Sequence, residues 1–395
     1  MKAFHSVRDI GVFAVVSFLF WFSQFIYVPT FSPYMSSLGG NYAFIGLVLS
    51  SYGLMQLFFR LPLGIFSDLT RVRKPFIILG MLASSTSCLL FTFTDSLTLV
   101  FISRCLAGFG AATWVAFTIL YGSYFKGEKS NRAMNSISFI VVLAQLLGMM
   151  LSGYVVSHLG WHGPFWIGSV SSLVGLLLSF MLFEDKQSSE REPIKMKELL
   201  SVMRNPTLLK VSFLSILAHS IIFSTMFGFT PNYALNIGLT ENELTLIVFS
   251  FMIPHAIAPL VIEKVFLSRF REWTVLKLTF LTAGCFTCLI PFADTKLLLC
   301  IIQSVNGFSL GIIFPLMLGM SVKSIPEQKK ATAMGAYQAL YAIGIFAGPF
   351  FAGLLNSHLG IEAGFYFAGS LGIVATLAVV LWRKKTSSYE VSRAK

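Results

Sequence analysis

The sequence predicts an all-α polytopic membrane protein with twelve transmembrane helices in two pseudo-symmetric six-helix halves. Hydrophobic residues make up 55% of the 395 residues and charged residues only 12%. This balance leaves too few charges to cover a soluble domain of this length. The apolar residues also form twelve stretches, each close to the roughly 20 residues that cross a bilayer as a helix. Because lipid cannot hydrogen-bond a backbone amide, each stretch is predicted to be helical.

The first half, residues 1–183, is predicted to hold six of these helices. Its first apolar run follows Lys2 and Arg8 and has no small-residue cleavage site, so we interpret it as an uncleaved helix rather than a signal peptide. The predicted helices of this half are Ile10 to Tyr34, Tyr42 to Phe66, Phe76 to Thr94, Leu97 to Tyr124, Ala133 to Ser157 and Phe165 to Phe183.

A linker is predicted over residues 184–206, where both charge signs mix with Ser188, Ser189 and Pro193. The second half covers residues 207–382, and a tail follows over residues 383–395. The predicted helices of the second half are Leu208 to Leu235, Leu244 to Phe266, Thr274 to Phe292, Leu297 to Val322, Thr332 to Asn356 and Gly364 to Trp382.

The net charge of +12 raises the possibility of a nucleic-acid partner, and the placement of the charges argues against it. Lysine and arginine cluster in alternate gaps between the helices, as at Arg71, Arg73 and Lys74, and only Lys296 falls on the other side. By the positive-inside rule, both termini and the linker are predicted to be cytoplasmic. We therefore expect a multi-pass protein of the cell membrane, inner or plasma, with the bilayer as its partner and no nucleic acid.

An internal repeat indicates how the halves are related. The string from Gly153 to Gly160 matches the string from Gly353 to Gly360, and Gly108-Phe109 matches Gly307-Phe308. A duplicated six-helix unit explains both matches. Two parallel halves of six helices are one way of building secondary transporters, which place the substrate near the midplane between the halves.

Two arginines lie deep in the predicted helices. Arg60 and Arg104 are roughly 12 to 14 Å from the membrane surface at a rise of 1.5 Å per residue, and no Asp or Glu lies equally deep. Two guanidinium groups without acids favour binding of a carboxylate or phosphate. The alternative is structural: Arg104 hydrogen-bonds helix carbonyls or the amides of Gln24 and Gln145, and Arg60 extends toward the cytoplasm.

Polar side chains elsewhere in the predicted membrane region extend the candidate site, because such groups are costly against lipid. The third, sixth, ninth and twelfth helices have none, so they are predicted to face lipid. His219 is a candidate for proton coupling, although a neutral histidine bonded between helices is the commoner case. Packing and interhelical hydrogen bonds are an equal alternative for the tyrosines and amides. Besides the two arginines, the candidates for substrate binding or coupling are Gln24, Tyr27, Gln56, His219, Gln303, Asn306, Tyr337 and Tyr341.

The gap after the second helix, from Gly64 to Lys74, resembles the signature loop of the major facilitator superfamily. Gly64, Asp68, Arg73 and Lys74 fit its pattern, whereas Leu69 and Arg71 stand where the family has an arginine and a glycine. The resemblance implies that the four matching residues control the movement of the halves.

The fourth helix carries a second motif, because the string from Arg104 to Gly110 resembles one that is common in the drug-exporter branches. The Gly-Pro motif that marks antiporters is missing from the fifth helix, where Gly148 to Gly153 has no proline. The two resemblances together imply a secondary transporter that works by alternating access.

The sequence thus favours export of a small organic compound, drug or metabolite, by proton antiport. The alternative is uptake or exchange of an organic anion held by Arg60 and Arg104, and a third possibility is a sensor that transports nothing. No nucleotide-binding loop is present in the sequence. We therefore expect no enzyme activity, no cofactor and no metal site, a small-molecule substrate, the proton as coupling ion, and a monomer.

Overall fold

The computed structural model describes residues 7–125, 129–184, 196–326 and 329–393. Within these ranges the chain is helical and has no strand, as predicted. The helices are α1 (Val7–Phe25), α2 (Val28–Ser37), α3 (Tyr42–Thr70), α4 (Lys74–Thr92), α5 (Leu97–Ala112), α6 (Trp114–Ser123), α7 (Lys129–Leu159), α8 (Gly163–Ser179), α9 (Met196–Met203), α10 (Pro206–Ser224), α11 (Thr230–Asn236), α12 (Glu241–Val261), α13 (Glu272–Cys288), α14 (Lys296–Lys323), α15 (Lys330–Leu359) and α16 (Glu362–Arg393).

Ten segments in the described part of the chain are long and apolar enough to cross a membrane. The first of them joins α1 to α2, and others join α5 to α6 and α10 to α11. Two further helices of 17 residues each, α8 and α13, occupy the positions of the predicted sixth and ninth helices. Together these segments correspond to the twelve predicted helices.

Four of the predicted helices are not continuous, and two of these, the first and the seventh, are interrupted in the same way. The first breaks between α1 and α2 because Pro29 lacks a backbone N–H and because its ring would clash with the carbonyl of Phe25 in a continuous helix. The seventh has a π-helical turn at Thr225–Phe229, just before Pro231. Tyr27 and Phe229, which precede α2 and α11, share φ −99° and ψ −9°. The breaks are therefore equivalent in the two halves.

Other boundaries also differ from the predictions. The short helix α9 lies within the predicted linker, of which residues 185–195 are outside the described ranges. The last helix continues past Trp382, its predicted end, to Arg393, so that most of the predicted tail is helical. The eighth predicted helix ends in a π-helical turn at Ile262–Leu267. The fourth predicted helix is interrupted at Thr113, between α5 and α6.

Helix packing separates supporting helices from those that join the halves. In the first half α4 packs against α8, and in the second half α13 packs against α16. These are the third, sixth, ninth and twelfth helices of the prediction, and their main partners lie in their own half. The halves meet where α3 packs on α15 and where α7 packs on α12.

The ends of the bundle differ. We call the end at which α1 begins and α16 ends the terminus face, and the other end the opposite face. Near the opposite face, a Cβ built on Gly46 of α3 would lie 2.8 Å from the Cα of Gly353 of α15. Near the terminus face, a Cβ built on Gly319 or Gly335 would meet nothing within 4 Å. Close contact between the halves is thus found at the opposite face.

Candidate functional site

Arg104 lies on α5 inside an aromatic cage. Its guanidinium carbon is 4.3 Å from the ring centre of Tyr52, 5.2 Å from that of Phe31 and 5.7 Å from that of Tyr27. Nη1 also donates a hydrogen bond of 3.1 Å to the Tyr27 hydroxyl. The side chain is 3% exposed. Aromatic faces attract a cation, so the cage stabilises the buried charge without neutralising it.

One edge of the Arg104 guanidinium has no acceptor within the described part of the chain. Nε is buried and makes no hydrogen bond, and Nη2 donates to none of the described residues. The expected amide partners are not used: both amide atoms of Gln24 are themselves unbonded. Two parallel N–H groups on one edge match the two oxygens of a carboxylate or phosphate.

Close packing of α3 on α5 places Tyr52 beneath Arg104. A Cβ built on Gly108 would lie 2.6 Å from the Tyr52 carbonyl oxygen, so a larger residue would push the two helices apart. Tyr52 also stacks on Phe223 of the second half, with ring centres 6.3 Å apart. The cage therefore reaches the boundary between the halves.

Arg60, on α3, has a different environment. It is 2% exposed, so it does not extend toward the cytoplasm. Nη2 donates to Gln56 Oε1 at 2.6 Å and to the Ala111 carbonyl at 3.4 Å. Nη1 donates to the Tyr341 hydroxyl at 3.0 Å and to the Gln338 carbonyl at 3.3 Å. Tyr341 and Gln338 belong to α15, so Arg60 links the two halves.

The Arg60 cluster continues into the second half. His219 of α10 stacks on Tyr341, with ring centres 4.1 Å apart and planes at 4°. His219 Nδ1 donates to the Ser215 carbonyl at 2.8 Å, since a carbonyl can only accept. The Ser215 hydroxyl donates to the Tyr337 hydroxyl at 2.8 Å. Five predicted site residues thus form one cluster: Arg60, Gln56, Tyr341, His219 and Tyr337.

Three predicted amides lie outside that cluster. Gln24 faces Gly110 of α5, and its Nε2 would lie 3.6 Å from a Cβ built there. Gln303 and Asn306 lie one turn apart on α14 and are 1% and 3% exposed. Both amide atoms of Gln24 and Gln303, and Oδ1 of Asn306, have no hydrogen-bond partner among the described residues. His255, whose helix continues through Pro254, donates from Nδ1 to the Gly307 carbonyl at 3.2 Å.

Two of the four predicted gating residues, Asp68 and Arg73, contact each other at the terminus face. Arg73 Nη2 donates to Asp68 Oδ1 at 2.6 Å, and both side chains are buried, which identifies the partner of Asp68. Arg71, which stands where the resembled loop has a glycine, adopts φ 54°. This left-handed conformation favours glycine, so Arg71 holds it at a cost. Gly64 is different, because a Cβ there would make only an ordinary 3.6 Å contact with Val115.

Glu184 is a residue that sequence reasoning placed in the linker and not in the site. Its carboxylate accepts the backbone N–H of Arg73 and, at 2.9 Å, that of Lys74. Lys74 Nζ donates to the Phe180 carbonyl at 2.7 Å. Glu184 therefore caps the first turn of α4 and fixes the signature loop to the end of α8. An acidic residue directly after an apolar helix was the available signal.

Tyr52 and Phe31 were also missed as site residues. Tyr52 shares a helix face with Gln56 and Arg60, which marked it in the sequence. Nothing marked Phe31, because it is one of 40 phenylalanines in the chain. Its position became visible only in the structure, where α2 turns away from α1.

A groove of about 520 Å³ lies on the flank of the second half, between α12, α13 and α14. The Ser304 and Thr282 hydroxyls that line it donate to carbonyls of their own helices. The groove thus shares no residue with the arginine sites and offers mainly apolar surface.

Comparison with known proteins agrees with this architecture. The family model described as Major Facilitator Superfamily matches residues 13–240 and 212–395. The inner membrane transport protein YajR of Escherichia coli (strain K12) is 24% identical over 374 residues, which are 92% of this chain and 80% of YajR.

Solved structures show the same fold. The nucleoside transporter NupG has a TM-score of 0.76 at 18% identity, over 95% of this chain and 99% of its own. A POT family transporter in complex with a thioalcohol-conjugated peptide has a TM-score of 0.79 at 15% identity, over 96% of each chain. At such identities the likeness concerns the fold alone. Because the family model matches the chain from residue 13 to residue 395, the chain belongs to the major facilitator superfamily, and it is a multi-pass membrane transporter of the secondary type.

Proposed function

We propose that this transporter carries a small organic anion, whose carboxylate or phosphate binds to Nε and Nη2 of Arg104 within the cage of Tyr27, Phe31 and Tyr52. The observation that carries the proposal is the edge of the buried guanidinium, where the two N–H groups have no acceptor among the described residues. Arg104 provides the two parallel N–H donors, and the cage provides apolar surface for the rest of the substrate.

Electrostatics supports an anionic substrate. A buried arginine costs at least about 2.5 kcal/mol at the centre of a membrane helix even on lenient scales. Aromatic faces offset part of that cost, and a bound anion offsets more because it supplies an opposite charge in a medium of low dielectric constant. The substrate is thus favoured by the same burial that makes the unliganded arginine costly.

Arg60 has another role in this proposal. Its Nη1 and Nη2 already donate to four acceptors in the protein, so they are not available to a substrate without breaking those bonds. Arg60 adds positive potential to the site and holds α3 to α15. We assign substrate contact to Arg104 and the link between the halves to Arg60.

A second candidate function is proton-driven export of an uncharged or cationic organic compound. It is favoured by the position of His219, a side chain that can carry a proton and that stacks on the tyrosine that accepts a hydrogen bond from Arg60. Protonation of His219 would place a second cation against this cluster and weaken the link between the halves. We propose the inner membrane as the location for either function, because the relative YajR is an inner membrane transport protein.

The test is ligand-dependent thermal stabilisation of the purified protein in nanodiscs. The probes are benzoate, hexanoate and phenyl phosphate as anions, benzamide as a neutral compound and benzylamine as a cation. A ligand at about 100 times its Kd should stabilise the native state by about 2.7 kcal/mol. We expect stabilisation by at least one anion, a loss of tenfold or more in its affinity in Arg104→Lys, and no binding in Arg104→Ala.

Arg71→Lys is the matched control, because Arg71 lies in the loop at the terminus face. Anion binding that persists unchanged in Arg104→Ala would contradict the proposal. Stabilisation by benzylamine or benzamide alone would favour the second candidate. Export into a medium of higher proton concentration by proteoliposomes, lost in His219→Gln, would then support it.

A further inference from the structure

The internal repeat makes Gln303 the counterpart of Arg104. Gly108 of α5 corresponds to Gly307 of α14 in the sequence. In the structure, a Cβ on Gly108 would strike the backbone of Tyr52 on α3, and a Cβ on Gly307 would strike the backbone of Phe251 on α12. The pair α3 and α5 in the first half therefore makes the same contact as the pair α12 and α14 in the second half. Arg104 lies one turn before the first glycine, and Gln303 lies one turn before the second.

The two side chains also lie at the same depth. Arg104 is as far from Leu97, the first residue of α5, as Gln303 is from Lys296, the first residue of α14. A rise of 1.5 Å per residue puts both about 10 Å from the helix ends at the opposite face. The repeat thus sets a charged group in the first half and an uncharged amide at the equivalent position of the second half.

The amide at this position is buried and unpaired. Gln303 is 1% exposed, and neither its oxygen nor its nitrogen has a hydrogen-bond partner in the described ranges. Asn306, on the next turn of α14, is 3% exposed and its Oδ1 is also unpaired. Buried polar atoms without partners are rare and costly, so two neighbouring side chains with such atoms indicate a ligand.

A histidine lies beside the glycine that follows this pair on α14. His255 of α12 donates from Nδ1 to the Gly307 carbonyl at 3.2 Å. Phe251 stacks on His255 and offers an aromatic face. The second half therefore presents unpaired amide groups at the position where the first half presents a guanidinium beside aromatic rings.

We infer that Gln303 and Asn306 form a second binding subsite, which receives an uncharged hydrogen-bonding group of the substrate whose anionic group binds to Arg104. This inference rests on the proposed function. It names the substrate class as a small molecule with an anionic group at one end and a carboxamide, carbonyl or hydroxyl group at the other. Such a molecule contacts both halves at once.

The experiment measures affinity by thermal stabilisation in nanodiscs with three series of linear probes of increasing chain length. The first series consists of monoamides of dicarboxylic acids, the second of monocarboxylates of matched length, and the third of the dicarboxylates. We expect one length of monoamide to bind about tenfold more tightly than the matched monocarboxylate. Gln303→Leu should remove that advantage, so that the monoamide and the monocarboxylate of matched length bind with equal affinity. Gln303→Arg should instead favour the dicarboxylate.

Ser304→Ala is the matched control, since Ser304 is adjacent on α14 but lines the groove on the flank. An amide advantage that survives in Gln303→Leu, or that is missing in the wild type at every length, would overturn the subsite. If monocarboxylates still require Arg104 in that case, the proposed function stands. If monocarboxylates bind without Arg104, or do not bind, the proposed function fails as well.

Discussion

At the scale of single residues, two arginines that look alike in the sequence have different surroundings. Both lie deep in predicted helices, and both lack an acid nearby. Arg60 donates to four protein acceptors, whereas Arg104 donates to one and is enclosed by rings. We therefore propose that Arg104 contacts the substrate and that Arg60 supports the structure, and substitutions at each should have different consequences.

Arg60→Leu should lower thermal stability more than it lowers anion affinity. The substitution leaves Gln56 and the Tyr341 hydroxyl without their donor, and hydrogen bonds to a charged group contribute about 1.5 to 3 kcal/mol each. We expect a loss of at least about 2 kcal/mol in stability, and a change in affinity below tenfold. Thermal unfolding with and without the anion gives both values. Equal loss of affinity in Arg60→Leu and Arg104→Leu would contradict the separation of roles.

The depth of the arginines could be predicted from the sequence because it follows from helix length and loop charge. Their partners could not. Arg60 bonds to Gln338 and Tyr341, which are 278 and 281 residues away in the chain. No local periodicity encodes such contacts, and the repeat relates equivalent positions without saying which side chains touch. The same reason hid Phe31 from the prediction.

At the scale of helices, glycines set how closely α3 and α15 approach. A Cβ on Gly46 would lie 2.5 Å from the Pro349 carbonyl oxygen, and one on Gly53 would lie 2.5 Å from the Phe346 nitrogen. These are backbone atoms, so neither can give way by rotating a side chain. The close contact of α3 with α15, which closes the opposite face, therefore depends on glycine at both positions.

Gly46→Val should open the opposite face by forcing α3 away from α15. Leu49, buried on α3, is a suitable reporter after replacement by cysteine. We expect labelling of Leu49→Cys by a membrane-impermeant maleimide to rise about tenfold, equivalent to roughly 1.4 kcal/mol in the equilibrium between the two states. Gly335→Val is the control, because a Cβ there meets nothing within 4 Å. Unchanged labelling in Gly46→Val would show that the contact of α3 with α15 does not hold this face closed.

Helix identity followed from apolar length, and the twelve predicted stretches match helices of the structure. Interruptions were harder to predict, because a proline in a membrane helix can kink it, break it or leave it intact. Pro29 and Pro231 accompany breaks, whereas α12 continues through Pro254 and Pro259. Which outcome occurs depends on whether neighbouring helices satisfy the carbonyls that proline leaves without a donor.

At the scale of the whole molecule, the halves repeat in their turns as well as in their helices. Gly39 and Gly238 have positive φ at one pair of equivalent turns of the opposite face, and Gly160 and Gly360 at another. Only glycine adopts such φ values at low cost, so the strings ending in Gly160 and Gly360 match for a physical reason. The repeat found in the sequence is a repeat of backbone geometry.

The orientation in the membrane is predicted by the basic residues of the terminus face. Cysteine in place of Ser36, which is exposed in the last turn of α2, should be labelled from outside intact cells by an impermeant maleimide. Cysteine in place of Ser324, which follows α14 at the terminus face, should be labelled only after permeabilisation. The protein without either substitution gives the background from its five native cysteines. The reverse pattern would place the termini outside.

The unequal filling of equivalent positions by Arg104 and Gln303 has an electrical consequence. Moving one elementary charge through the membrane potential involves about 2.3 kcal/mol per 100 mV. The deep guanidinium groups of Arg60 and Arg104 both belong to the first half, while Gln303 is uncharged. A rocking motion that carried the first half along the field would perform electrical work on both guanidinium groups, and the same motion of the second half would move no charge at the position of Gln303. The resting voltage of the cell can therefore bias the transport cycle through one half of a nearly symmetric molecule.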